Sequence, residues 1–547
     1  MLKLVNLVPG SLISALYDQL GIGQTIDEMV RWDPVQCRLS PGTRIKALVI
    51  NIFGRQRPLY RLAEFYEHMD IENLFGKGIH LDDLTDYNMA RALDKLGERG
   101  PWEVFSTICL RAICHEQIDL KYLHSDTTSI SLYGTYEDQD GNEFIITNGH
   151  SKDNRPDLKQ FLYGLSVTPD KIPVCADVNS GNTSDKTWNF DFIEKLTKSL
   201  DPEVLQKVIY IADSALVTAD NLEQMAKHHL KFISRLPGNF SLEKALKKKA
   251  WEKEDDFKEL GRFSDKKDAA SYRVQELKEE LYGKCYRFLV VHSTKMDGRK
   301  TKSLQKELLR QEKELQKAII QMEKQVFACE PDAKAALEGF QKQHKNDYFP
   351  LAGQVVCQEK RKPGRPGKDN LPENIYCLKL QYTTDEGAVQ QAKERLSCFV
   401  LITNLDQEYT AKYILKEYKA QNNVETSFKF LKDPLFVGPI YLKKPSRVEA
   451  LAYVLLIALL MFGILERRVR EALKHETEPL IIPGKVKTFS PTGKKILETL
   501  ETVLVMTTDD PYRRTFSSRY KVPRVLKLAG FEPDIYLNVR DMSEKFP

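Results

Sequence analysis

Apolar and polar positions divide this chain into regions of different period. Residues 1–118 carry a helical period. "SPGTRIKALVINIF" (40–53) opens with a Ser-Pro start signal, and "LDDLTDYNMARALDKLG" (81–97) has an Asp/Thr-rich start, spaced Met89, Leu93 and Leu96, and a Gly97 stop. From about residue 119 short β-rich runs take over, separated by turn residues: "IDLKYLHSDTTSISLYG", "NEFIITNG", "FLYGLSVTP", "KIPVCADVNSG", "KVIYIADSAL" and "LKFISRLP". Helical segments fall between them, "TWNFDFIEKLTKSL" before the "VIYIA" strand and "TADNLEQMAKHH" after it. Three meandering strands followed by strand–helix–strand units predict a mixed sheet with helices packed on it.

Residues 240–395 interrupt this pattern. "TKSLQKELLRQEKELQKAIIQMEKQVF" spaces Leu308, Leu315 and Met322 by seven, which predicts a projecting helical hairpin or a short coiled coil. A buried strand returns at "SCFVLITNL" (397–405), so 240–395 reads as an insertion into an α/β core. The helix-like "NNVETSFKFLKDP" (422–434) follows, with Val424, Phe428 and Leu431 on one face and Glu425 at its edge. Further on, "ALAYVLLIALLMFGIL" (450–465) lacks charge, but it is shorter than the about 20 residues of a membrane span. The amphipathic "ERRVREALK" continues it, so it reads as a buried helix, with no membrane expected.

Length and composition add limits. At 547 residues the chain exceeds one core and suggests two or three domains. A net charge of +5, from 82 basic and 77 acidic residues, makes any nucleic-acid face a local one. Arg44, Lys46, Arg55, Arg57 and Arg61 suit DNA binding and ordinary solvated helices equally. The nine cysteines form no CxxC, which argues against a disulfide framework or zinc site and for a reducing cytoplasm. The N-terminus lacks the pattern of a signal peptide.

The candidate chemistry lies in acids at unusual places. Asp126 sits inside the first strand, in "HSDTTS", and Asp213 directly follows the apolar "VIYIA". Aspartate is poor strand chemistry, although a turn or cap would also explain Asp213. With Glu425 they form an order D…D…E, and such carboxylates can converge on Mg²⁺, an oxygen-seeking ion. A surface ladder of Glu425, Lys429 and Lys432 is the plain alternative for the helix.

These stretches resemble the DDE transposases of bacterial insertion sequences, the group whose last acid stands in a Y-x2-R-x3-E-x6-K signature. Tyr418, Gln421, Glu425 and Lys432 occupy those four positions, with Gln421 departing from the arginine. "HSDTTS" and "ADSA" match the regions of the first two acids, and "GHSKDNRPDLKQ" (149–160) and "DVNSGNTSD" (177–185) also resemble stretches of the group.

The resemblance implies an RNase H-like α/β fold, a mixed sheet flanked by helices, with a helical N-terminal domain and a large insertion before the last catalytic helix. It divides the chain into a DNA-end-binding domain (1–118), core halves (119–239 and 396–470), the insertion (240–395) and a C-terminal region suited to oligomerisation (471–547). It implies that Asp126, Asp213 and Glu425 hold two Mg²⁺ ions, with Mn²⁺ able to substitute. The implied activity is cleavage at transposon ends and strand transfer into target DNA. The implied partners are terminal inverted repeats, target DNA and a second copy of the chain, in a prokaryotic cytoplasm at the nucleoid.

Tyr418, Gln421, Lys429, Lys432, Lys152, Arg155 and Arg365 are the expected DNA contacts. Arg365 belongs to "EKRKPGRPGKDN" (359–370), which reads either as an AT-hook-like arm or as a solvated basic loop. His124 reads as a core or supporting residue, and Trp188 as a helix start or a base-stacking aromatic. A nuclease of the same fold that does not join strands, and a transposase-derived DNA-binding protein without chemistry, are the rival functions.

Overall fold

A computed structural model describes residues 3–5, 9–54, 57–137, 143–264, 267–295, 298–360, 373–507, 514–518 and 520–538. Two compact units are present, one of Met1–Ser234 with Thr403–Pro547, the other of Arg235–Ile402.

The first unit is built on a mixed sheet. Its strands are β1 (Tyr122–Leu132), β2 (Lys159–Val167), β3 (Pro173–Ser180), β4 (Ile209–Ala212) and β5 (Lys231–Arg235). Their order is β3-β2-β1-β4-β5. Strands β1 to β3 form an antiparallel meander, whereas β4 and β5 run parallel to β1. This meander joined to parallel strands is the RNase H-like arrangement. Residues 143–149, expected as a strand, contribute only a bridge between Thr147 and Gln160.

Helices cover both faces. In chain order they include α1 (Pro41–Phe53), α2 (Asp86–Arg99), α3 (Pro101–His115), α4 (Asp185–Ser199), α5 (Asn422–Lys432) and α6 (Pro445–Lys474). The Ser40 hydroxyl accepts the Thr43 N–H with Pro41 in the first turn, so α1 starts where the sequence signals it. Met89, Leu93 and Leu96 are the buried stripe of α2. The charge-free run 450–465 is the middle of α6, and it is buried inside the protein against α1, α2, α3, α5 and β3. The carboxylate that directly follows the run, Glu466, is buried and satisfied by Lys171 at 2.9 Å, Arg470 at 2.8 Å and the Gly493 N–H at 2.6 Å.

The second unit holds a sheet in the order Cys398–Thr403, Lys284–Ser293, Ser271–Leu281, Lys258–Arg262. It also holds an antiparallel pair, Leu351–Lys360 with Glu373–Tyr382. The Leu308, Leu315 and Met322 stripe lies on the helix Gly298–Glu323, and it is not the seam of a coiled coil. It packs with Ala333 and Phe340 of the next helix and with Leu378 and Leu380 of the strand pair. Three heptad positions suffice to cover one small α/β core, in which the next helix and the strand pair together stand where a coiled coil would have one partner helix. Arg365 and the rest of 361–372 lie outside the described residues.

Glu449 at the start of α6 yields a pH prediction. Burial pushes its carboxyl up from 4.5 to about 7, with Lys195 opposing and Glu143 adding to the rise. The folded chain therefore holds a proton between those values that the unfolded chain releases. Stability from this group is complete below pH 4.5 and declines as pH rises to about 7. Glu449→Gln should flatten that part of the profile and gain roughly 2–3 kcal/mol over wild type at pH 8. Urea unfolding of both proteins at pH 5 and pH 8 measures it.

Candidate active site

Strand pairing brings two acids together across 87 residues of chain, from Asp126 to Asp213. β1 and β4 are parallel neighbours, with Ser125 opposite Ala212. One step further sets Asp126 beside Asp213 at the carboxyl end of β4, where parallel strands open a crevice. Asp213 also starts a short helical turn, its Oδ1 accepting the Ala215 N–H at 2.9 Å while its carbonyl accepts the Ser234 hydroxyl at 2.7 Å. So the cap reading holds for this residue, and the same position puts its carboxylate beside Asp126.

The pair is electrostatically uneasy. Burial raises the Asp126 carboxyl to about 6, the Lys152 ammonium opposes this, and Asp213 and Asp185 add to it. Asp213 is raised too, mainly by burial, with the Ala215 N–H opposing.

Asp185 is an acid that sequence reasoning quoted inside "GNTSD" but did not single out. It opens α4, whose capping hydroxyl is Ser184, and its Oδ1 accepts the Thr127 hydroxyl at 2.5 Å. Lys152 stands among these groups. Its Nζ lies 3.7 Å from Asp126 Oδ1 and 3.3 Å from Asp185 Oδ2, and it donates to the Thr127 carbonyl at 2.8 Å and to the Thr127 hydroxyl. The Lys152 N–H donates to the Ser129 hydroxyl at 2.9 Å, which seats its loop on β1.

Glu425 is placed differently. α5 packs against β1, β2 and α6. Tyr163 faces the same side of the sheet as Asp126, because it pairs with Thr128, and its hydroxyl donates to the Ala452 carbonyl of α6 at 3.0 Å. The helix that carries Glu425 is thus on the Asp126 face. Val424, Phe428 and Leu431 are buried as the stripe predicts, but the Glu425 side chain is exposed. Among the described residues no group of three or more His, Cys, Asp or Glu is close enough to hold a metal ion, so Glu425 does not join the aspartates in this state.

The expected DNA contacts divide likewise. Lys432 pairs with Asp153 at 2.6 Å, tying α5 to the loop that bears Lys152. Arg155 pairs with Asp157 through two bonds of 2.8 and 2.6 Å. Lys429 is exposed, Gln421 precedes α5 half-buried, and Tyr418 is half-buried on the preceding helix.

Two further residues are settled by burial. His124, two positions before Asp126 on the same face, is fully buried with both ring nitrogens unpartnered, and burial lowers its pKa to about 4. Trp188 is not a base-stacking surface. It is buried, its indole N–H donates to Asp177 at 2.8 Å, and its ring lies 4.6 Å from that of Phe192. Asp177, fully buried, also accepts Lys195 at 2.9 Å. This network anchors α4, and through α4 it fixes Asp185.

Comparison with known proteins now adds the family. Residues 165–461, more than half of the chain, match the family described as "Transposase DDE domain". The chain belongs to the transposase DDE family. The matched span contains Asp213 and Glu425 and begins within β2, after Asp126. Residues 4–110 match a "Domain of unknown function (DUF4277)". No curated protein matches. One solved structure similar to this DDE-family chain is the cryo-EM structure of the piggyBac transposase synaptic complex with hairpin DNA. It is 10% identical, with a TM-score of 0.41, covering 89% of this chain and 79% of that one.

The anchor of α4 is open to test at Gly164, which pairs with Asp177 and faces Trp188. A β-carbon there would collide with the Trp188 indole nitrogen and with the Asp177 carboxylate. Gly164→Ala should cost about 1–3 kcal/mol of stability and disturb the indole environment. Denaturant melts and tryptophan fluorescence measure the two effects.

Proposed function

We propose that this protein is the DNA transposase of an insertion sequence, cleaving at the element's ends and joining them to target DNA. The observation that carries this reading is the pair Asp126 and Asp213, side by side on neighbouring parallel strands of a DDE-family chain.

The donors suit a hard divalent cation. They are carboxylate oxygens, partly buried, and burial, with the like charges of Asp213 and Asp185 adding to it, keeps Asp126 above its ordinary range while a lysine ammonium already stands beside it. Asp126 and Asp213 would hold Mg²⁺, or Mn²⁺ in its place, and Glu425 is the third acid, carried by α5 on the same face. Two bound ions supply activation of a water or 3′-hydroxyl and stabilisation of the leaving oxygen.

The chain's own residues would do the positioning. Lys432, Lys429, Lys152, Arg155 and Arg365 offer charge to phosphates, and Tyr418 and Gln421 flank the scissile strand. Gln421 donates a hydrogen bond without the charge of an arginine. Pairing two terminal repeats calls for two copies of the chain, and the cytoplasm and nucleoid are where such DNA is met. One observation favours a reading without chemistry: Glu425 is exposed and apart from the aspartates.

Incubation of the purified protein with Mg²⁺ and DNA carrying its own flanking ends tests the proposal. Wild type should nick and then join precut ends to a target. Asp126→Asn and Glu425→Gln should lose both steps, at least 100-fold, while retaining end binding, and Lys432→Ala should weaken end binding. Cleavage without joining would indicate a nuclease. Glu425→Gln acting at the wild-type rate would remove Glu425 from the site, and Asp126→Asn doing so would end the proposal.

A further inference from the structure

We propose that Lys152 is a built-in counter-ion of this site, one that holds a cation position beside Asp126 until a divalent ion displaces it. The inference rests on the reading that Asp126 and Asp213 hold such an ion.

Lys152 is not placed like an ordinary surface lysine. Only about a quarter of its side chain is exposed (26%), and its ammonium is surrounded by oxygen: the Thr127 carbonyl and hydroxyl, Asp185 and Asp126. Its backbone is fixed independently through Ser129, so the ammonium is delivered to the acids by the fold. Two positive centres cannot share the Asp126 carboxylate without strong repulsion at such range.

The contacts are also graded. Asp126 is the most distant partner at 3.7 Å, beyond hydrogen-bond length, whereas Asp185 at 3.3 Å and the Thr127 carbonyl at 2.8 Å are nearer. Lys152 can therefore leave Asp126 while Asp185 and Thr127 still restrain it. Thr127 and Asp185 hold each other through their own hydrogen bond, so this restraint survives the exchange. Asp185 is thereby a positioning residue that acts through Lys152. The displaced ammonium stays at the rim of the site, where its charge is free to meet a DNA phosphate.

The test uses Mn²⁺ alone, without DNA, on the full chain. In wild-type protein, limited acetylation followed by peptide mass spectrometry should show Lys152 labelling several-fold faster with Mn²⁺ than without it. The exposed Lys429 serves as the internal reference. In calorimetric titration Lys152→Met should bind Mn²⁺ about tenfold more tightly than wild type, because the competing charge is gone. Lys152→Arg, which retains the charge, should stay near the wild-type affinity.

Unchanged labelling, in a protein whose Mn²⁺ binding is lost in Asp126→Asn, overturns the counter-ion and leaves the proposed function standing. Equal affinity in wild type and Lys152→Met does the same. Mn²⁺ binding that Asp126→Asn does not alter removes the ion from Asp126, and with it both the function reading and this inference. The labelling measurement needs no variant, so it decides even if Lys152→Met fails to fold.

Discussion

Two carboxylates held side by side at the ends of parallel strands set the terms for everything around them. Asp126 and Asp213 repel each other, and burial makes that repulsion harder to screen. A fold selected for stability alone has little reason to keep them adjacent. The surroundings read as compensation: an ammonium from the 149–157 loop, a backbone N–H at Asp213, and a third acid, Asp185, that steadies the ammonium. Strain that is kept at a crevice is the usual mark of a site that binds something of opposite charge.

The other face of the sheet supports this arrangement. Gly164 lacks a side chain, so Trp188 and Asp177 can meet against β2, and their bond with Lys195 fixes how α4 lies. Asp185 at the first turn of α4 is then set beside Thr127. On the Asp126 face the buried helix α6 provides the floor on which α5 packs. Lys432 and Asp153 connect α5 to the loop that carries Lys152. The helix bearing Glu425 and the loop bearing the counter-ion are thus joined by one ion pair.

Much of the first unit was legible because its signals are local. Ser40 and Pro41 start a helix by filling its first-turn needs, and the apolar runs around "VIYIA" and "FLYGLSV" have few alternatives to a central strand. "NEFIITNG" reads as a strand, yet its described residues form one bridge and no ladder, because Ile145 bonds to the Ser180 hydroxyl and the Gly181 N–H instead of to a strand in register. The 308–315–322 stripe has the right period for a coiled coil, but period does not say what covers a stripe, and here a strand pair and the next helix do. The Lys152–Thr127–Asp185 cluster depends on pairing between distant segments, so the sequence offered only the motifs "SKDN" and "GNTSD" without their meeting. Glu425 stood correctly at the edge of an apolar stripe, but that edge faces solvent here.

The central claim is that the acids of this site are a cation-binding set. Diffraction from crystals of the full chain grown with Mn²⁺, using the anomalous signal of the metal, addresses it most directly. The account predicts a peak coordinated by Asp126 and Asp213, with Lys152 withdrawn from Asp126 and Glu425 turned towards the metal. Crystals that show Mn²⁺ only at other positions, with Lys152 still beside Asp126, would contradict it.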